Sequence, residues 1–185
     1  MEATKWQIDS THSEVQFKVK HMMISTVTGY LSSFNATVVT NGDDFTTAKV
    51  EFTADLSSIS TNNEQRDTHL KSADFFDAEN HPQIKFVGEK LEKVDDENFV
   101  LHGNLTIRGT TKPVKLQVEY GGIAVDPWGN TRVGFTVNGK INRKEYGLNW
   151  NSITEAGGIV VSDEVRMHVN AEFVKEQVAE NANAG

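Results

Sequence analysis

The chain contains no cysteine, which removes disulfides, a thiolate nucleophile and Cys-type zinc sites from consideration. Cations are in deficit: 18 Lys and Arg stand against 26 Asp and Glu, a net charge of −8. The basic residues are scattered rather than clustered, so no nucleic acid partner is expected. No apolar run reaches the length of a spanning helix, so no integral membrane segment is expected either. The opening MEATKWQIDS has neither a basic n-region nor an apolar h-region. Together with the initial Met, this predicts a cytoplasmic protein. No G-x-S-x-G elbow or P-loop occurs, which leaves that hydrolase class and phosphoryl transfer without support. The six histidines show neither H-x-x-x-H nor H-E-x-x-H spacing, and His12 and His21 fall on opposite parities. No metal site is therefore expected.

What the sequence does have is alternation. In Glu14–Lys20, Val15, Phe17 and Val19 share a face that continues to His21, while Glu14, Gln16, Lys18 and Lys20 share the other. A two-residue period of this kind is a half-buried strand of an antiparallel sheet. The same period recurs over residues 28–40, 48–58, 83–94, 99–109, 113–125, 132–142 and 161–174, separated by turn signals such as Asn41-Gly42 and Asp126-Pro127-Trp128-Gly129. About eight long, one-sided strands with no long helix to cover them must bury their apolar face against one another, and closure also removes the sheet edges. The expected fold is all-β: an eight-stranded antiparallel barrel forming one domain over residues 1–176, with a frayed tail at 177–185.

Alternation stops once, between Ser60 and Phe86. Thr61-Asn62-Asn63-Glu64 fits a capping box, and Asp67 and Lys71 stand at helical ion-pair spacing. The face Arg66, His69, Leu70, Ala73 has one large apolar side chain, too little to enter a core, so the segment reads as a short helical lid.

An eight-stranded barrel can be filled or can hold one small ligand. Ala36, Ala54, Gly88, Gly103, Gly139 and Ala171 share inward faces with large apolar residues. One by one they read as barrel corners; together they leave room for an apolar ligand. The candidate binding residues are Phe17, Val19, His21, Phe34, Phe52, Ala54, Phe86, Leu105, Phe135, Val137, Met167 and Val169 on the walls, with His69 and Trp150 at a mouth. Arg66 and His69 share a helical face and could meet a head group, although Arg66 could equally pin the lid. Asp67 and His69 point about 200° apart on a helix and form no local acid–base pair, so no catalytic residue is assigned. Arg143–Gly147 reads as a short helical turn capped by Gly147.

Several blocks carry a family resemblance. Asp9-Ser10-Thr11-His12-Ser13 leads into VQFKVKHMM, followed by Ser25–Val27 and Gly29. SISTNNEQRDTHLKSADFFDAENHPQIKF, GNLTIRGTTKPVKL, DPWGNTRVGFTVNGKINRKEYGLNWN and DEVRMHVNAEF come after it in order. This series resembles the YceI-like family over nearly the whole chain. The resemblance implies an extended lipocalin-like barrel whose long pocket binds polyisoprenoid chains or other amphipathic lipids. Many relatives are secreted or periplasmic, which differs from the cytoplasmic expectation, and Lys144-Glu145-Tyr146 stands where Ser-Asp-Phe is usual. The expected function is binding, sequestering or transporting an isoprenoid or similar lipid, such as an isoprenoid quinone, without catalysis and with no cofactor beyond that lipid. A polyisoprenoid is the expected partner, and a homodimer is left open. The rivals are an enzyme using Arg66 and His69 at the pocket mouth and an interaction module with a fully packed barrel.

Overall fold

In this computed structural model, residues 3–152 and 160–176 are described, and the tail expected at 177–185 lies outside them. Eleven strands follow one another: β1 (Ala3–Ile8), β2 (Glu14–His21), β3 (Ser25–Leu31), β4 (Phe34–Asn41), β5 (Asp44–Asp55), β6 (Ile59–Ser60), β7 (Gln83–Lys93), β8 (Asn98–Ile107), β9 (Thr110–Val125), β10 (Thr131–Asn142) and β11 (Val161–Lys175). The helix α1 (Glu64–Lys71) interrupts them, and no described helix is long and apolar enough to cross a membrane.

All pairings are antiparallel. The circuit β1-β4-β5-β7-β8-β9-β10-β11 closes when β11 pairs back onto β1, giving the eight-stranded barrel. Above that junction β11 pairs with β2 instead, and β2, β3 and the two-residue β6 extend the wall beyond the ring. Thus β1 and β2, separated by the 3-10 turn Ser10–His12, share the edge of one long strand.

The strand that closes the barrel is the one that the alternation did not disclose. Its apolar signal is only Trp6 and Ile8, yet Trp6 is 0% exposed and its Nε1 donates to Thr40 Oγ1 at 3.0 Å. That hydroxyl in turn donates to the Gly42 carbonyl at 2.6 Å, so the indole is tied to the β4–β5 turn. The expected strand 28–40 is in fact β3 and β4, broken at Ser32–Ser33. The break changes parity, which exposes Tyr30 while Ala36 and Val38 are buried. One missed strand and one split strand leave the count of eight intact with a different membership.

The lid helix is about two turns long and is capped by Asn63, whose side chain accepts the Arg66 amide, rather than by Thr61 as the capping box predicted. Thr61 lies inside the fold and serves another purpose. Asp67 likewise bonds Thr61, not Lys71: the Thr61 amide and hydroxyl donate to Asp67 Oδ1 at 2.8 and 2.6 Å. A buried hydroxyl with two partners outweighs an exposed ion pair, which is worth only about 0–1 kcal/mol.

Candidate functional site

The barrel encloses a cavity of about 620 Å³, so the interior is not fully packed. This is the size range of small-ligand sites, roughly 300–1,000 Å³. Phe17, Val19, His21, Phe52, Phe86, Leu105, Phe135, Val137, Met167 and Val169 line it, as do His69 and Trp150. Phe34 and Ala54 do not. Ala54, at 0% exposed, lies in a separate packed cluster with Val15, Leu31, Leu56 and Ile59, against which Phe34 also packs. That cluster forms where the β2–β3 extension meets β5; Val15 and Leu31 reach the cavity from it, whereas Ala54 is buried in the seam.

The wall glycines also work differently from expectation. They do not leave empty space; neighbouring side chains lie over them. A Cβ on Gly29 would fall 2.1 Å from Phe17 Cζ, one on Gly103 2.5 Å from Phe86 Cζ, and one on Gly139 2.4 Å from Leu116 Cδ2. Rings that fold flat against the wall do not project across the lumen, so the cavity stays open for an indirect reason. At one end it is shut by an aromatic cluster: Phe45 sits 5.1 Å from Trp6 and 5.3 Å from Phe135, ring centre to ring centre, with Tyr120 beside them.

The opposite end holds most of the polar lining, including Lys20, His21, Asn63, Gln65, Arg66 and His69. Here α1 lies over the mouth, held from below. Arg66 Nε donates to Thr61 Oγ1 at 2.6 Å and Nη2 to the Thr61 carbonyl at 2.7 Å. Its guanidinium therefore secures the lid, which is the structural alternative for this residue. His69 packs edge-on against Trp150 at 4.7 Å and Phe75 at 5.0 Å, and its Nε2 lies 2.8 Å from Asp74 Oδ2. The lid's apolar contacts come mainly from Leu70, Phe75 and Phe76. The two phenylalanines follow the helix, where a helical-face count does not reach; their adjacency in a polar stretch was the available signal. From the β8–β9 turn, Arg108 Nη1 donates to the Phe75 carbonyl at 2.9 Å and fixes this corner.

Trp150 owes its place to Arg143, which sequence reasoning gave no role of its own. The 3-10 turn Arg143–Tyr146 ends on Gly147 in the left-handed region at φ +80°, as its sequence predicts. This turn carries the Arg143 side chain inward to 3% exposure. There Nη1 donates to the carbonyls of Leu148 (2.6 Å) and Trp150 (2.7 Å), and Nε donates to that of Ser162 (2.9 Å). Burial lowers its pKa, while the Asp163 carboxylate 4.0 Å away opposes that shift. Asn151 completes the arrangement: its amide donates to the Val161 carbonyl and its oxygen accepts from the Val160 and Val161 amides.

At the shut end, Asp9, His12 and Glu172 bring their ligand-type atoms within 4.8 Å of one another. Histidine spacing alone could not foresee this, because Glu172 arrives from β11. However, Arg132 Nη1 sits 2.8 Å from both Asp9 Oδ2 and Glu172 Oε2, and its Nε sits 2.8 Å from Asp126 Oδ2. A guanidinium already occupies the position a cation would take. Arg132 holds the Asp126 carboxyl down at about 2 and the Asp9 carboxyl well below the usual range, and its own pKa is raised in turn.

Comparison with known proteins agrees with this geometry. The profile of the YceI-like domain matches residues 6–173. A UPF0312 protein of Staphylococcus epidermidis is 40% identical over 171 residues, covering 92% of this chain and 97% of the relative. The crystal structure of the Campylobacter jejuni YCEI protein superposes with a TM-score of 0.74 at 32% identity, over 85% of this chain and 90% of that one. A polyisoprenoid binding domain from Saccharophagus degradans superposes with a TM-score of 0.72 over 92% and 98% of the two chains. At 15% identity, that last likeness speaks for the fold alone.

Proposed function

The chain belongs to the YceI-like family, and on that premise we propose that it binds a long-chain amphipathic lipid of isoprenoid type and sequesters or carries it unchanged. The observation that carries this reading is the cavity of about 620 Å³ with apolar walls, a shut aromatic end and polar side chains gathered at the other end. A tail would lie along the barrel and a head group would rest near Lys20, His21 and Gln65. The polyisoprenoid named for the Saccharophagus degradans domain fits the same description.

Magnitudes favour a ligand held by its tail. Burying each CH₂ gains about 0.8 kcal/mol, so a ~15-carbon segment offers roughly 12 kcal/mol gross. One head-group hydrogen bond adds only about 0.5–1.5, and association costs about 4–15. Chain length therefore sets affinity, while the polar end sets orientation and can favour a quinone or another head group. The enzymatic alternative has less to stand on, because Arg66 is committed to Thr61 and His69 is packed between Phe75 and Trp150. Organic extraction of protein purified without detergent, followed by mass spectrometry, should recover a long-chain apolar molecule at a substantial fraction of one per chain. No extractable lipid and no uptake of an isoprenoid chain would reject the proposal; time-dependent conversion of a bound lipid would turn it into an enzyme.

A further inference from the structure

The β2–β3 hairpin ends in Met22, Met23 and Ile24, which are 41%, 61% and 79% exposed. The Ile24 amide donates to the His21 carbonyl at 3.1 Å across a tight turn. Met22 and Met23 occupy its two central positions with φ of +51° and +59°. Two left-handed residues in succession make a type I′ turn, a place where Asn-Gly is favoured and long side chains are strained. The chain therefore presents three consecutive apolar side chains to solvent on a backbone that disfavours two of them, and none of the three serves the core.

The charge around this tip is also unusual for the molecule. From Val15 to Gly42 there is no Asp or Glu, although the protein has a net charge of −8. Lys18, Lys20 and His21 are exposed on β2, and Arg166 of β11 stands opposite Lys18. Among the described residues, the acids on the adjoining edge are paired: Asp163 lies 3.3 Å from Lys144 Nζ, and Glu164 lies 3.3 Å from Arg166 and 3.7 Å from Lys140. The tip also adjoins the cavity. Lys20 and His21 line it, and the Met22 amide donates at 2.8 Å to the carbonyl of Val160, another lining residue.

We propose that this hairpin docks the protein on an anionic lipid bilayer. Met22, Met23 and Ile24 enter the boundary between head groups and acyl chains, Lys18 and Lys20 meet lipid phosphates, and the mouth comes to face the membrane. The need for such contact rests on the lipid cargo proposed above, whereas the docking itself does not. A chain in a bilayer is already in apolar surroundings, so the hydrophobic effect gives it little drive to enter the cavity by way of water. A mouth placed against the bilayer lets the chain pass without leaving apolar surroundings.

The test uses vesicles of phosphatidylcholine with and without phosphatidylglycerol, and the absence of native cysteine allows a single labelled site. Co-sedimentation should be stronger with phosphatidylglycerol and should weaken with salt. An environment-sensitive dye on Ile24→Cys should shift to the blue on vesicles, while the same dye on Trp128→Cys, exposed on the β9–β10 turn at the other end, should not. Replacing Met22→Asn together with Met23→Gly supplies the pair that the turn prefers, so its melting temperature should equal or exceed that of the wild type. Its vesicle binding should nevertheless fall by about ten-fold or more. Absence of wild-type binding, unchanged binding by the double variant, a blue shift of the dye on Trp128→Cys instead of on Ile24→Cys, or a tip that mediates only self-association would each overturn the proposal. Extraction of cavity lipid from the double variant tests the cargo independently.

Discussion

At the shut end of the barrel Arg132 lies among three carboxylates, whereas at the mouth Arg143 lies among backbone carbonyls. Both belong to the same strand system, one near the start of β10 and one just past its end. The partners differ in what can undo them. Carboxylates can be protonated and screened by salt, so the shut end is held by charge that acid removes. Carbonyls do not titrate, so the Arg143 contacts that place Trp150 are not removed by mild acid. Arg143 is also the more deeply buried of the two, and carbonyl dipoles satisfy its donors without cancelling its charge. A barrel with this arrangement is held at its mouth by contacts that do not titrate and at its base by charge.

The largest effect that would break this comparison is loss of Arg143. Arg143→Met keeps much of the side-chain volume but removes the donors to Leu148, Trp150 and Ser162. Each buried carbonyl left unpaired costs about 1–3 kcal/mol, so a loss of roughly 3 kcal/mol or more is expected in denaturant unfolding. The Trp150–His69 packing should loosen with it, which tryptophan fluorescence would report. A variant as stable as the wild type would mean that water reaches these carbonyls and that Arg143 does not organise the mouth.

A smaller, pH-dependent effect sharpens the other side. Asp126 is held at about 2 against an ordinary 3.8, and Asp9 is lowered further, chiefly by Arg132. A carboxyl whose folded pKa is depressed stabilises the fold above its unfolded pKa, and this stability is lost as pH falls through the folded value. The wild type should therefore lose the Asp126 share of its Arg132-dependent stability between about pH 4 and pH 2, and the Asp9 share over a window that starts near pH 4 and reaches lower. Arg132→Met should be less stable than the wild type at neutral pH, with the difference shrinking across that window. The deficit of Arg143→Met should stay nearly constant over the same range. Parallel losses in the two variants would remove the distinction between the ends.

The barrel was legible from sequence because its strands are long and their period is strict, as in β8, where Phe99, Leu101, Leu105 and Ile107 are buried in alternation. Two things were not legible. β1 is too short for alternation to distinguish it, and only the pairing with β4 and β11 shows that Trp6 closes the ring. Ala54 has the parity of a wall residue, but parity gives the face of a strand and not what lies opposite it. That depended on where the β2–β3 extension folds back. Of the candidate residues on regular strands, all but Phe34 and Ala54 line the cavity, while Arg143 and Phe75 were missed because each acts through a turn whose side-chain direction no period encodes.

The smallest effect concerns the wall between the two ends, on β10 itself. Gly139 accommodates Leu116, whose Cδ2 would lie 2.4 Å from an added Cβ, with Met167 Cε at 3.3 Å. Both are far ends of flexible side chains, both line the cavity, and no backbone atom is among the contacts. In Gly139→Ala, Leu116 must therefore rotate away from the wall, and the lumen is the space open to it. The rotation costs a fraction of a kcal/mol to about 1.5, while a glycine removed from the unfolded ensemble returns about 0.4–1. Net stability should change by less than about 1 kcal/mol in either direction. Binding of a fluorescent isoprenoid analogue by delipidated protein should nevertheless weaken, more for longer chains than for shorter ones. Gly134→Ala, with nothing within 4 Å of its added Cβ, should leave binding unchanged and gain only the unfolded-state stabilisation of about 0.4–1 kcal/mol. If Gly139→Ala binds long and short chains as the wild type does, the tail does not pass this point, and the ligand must be confined to the mouth end of the barrel.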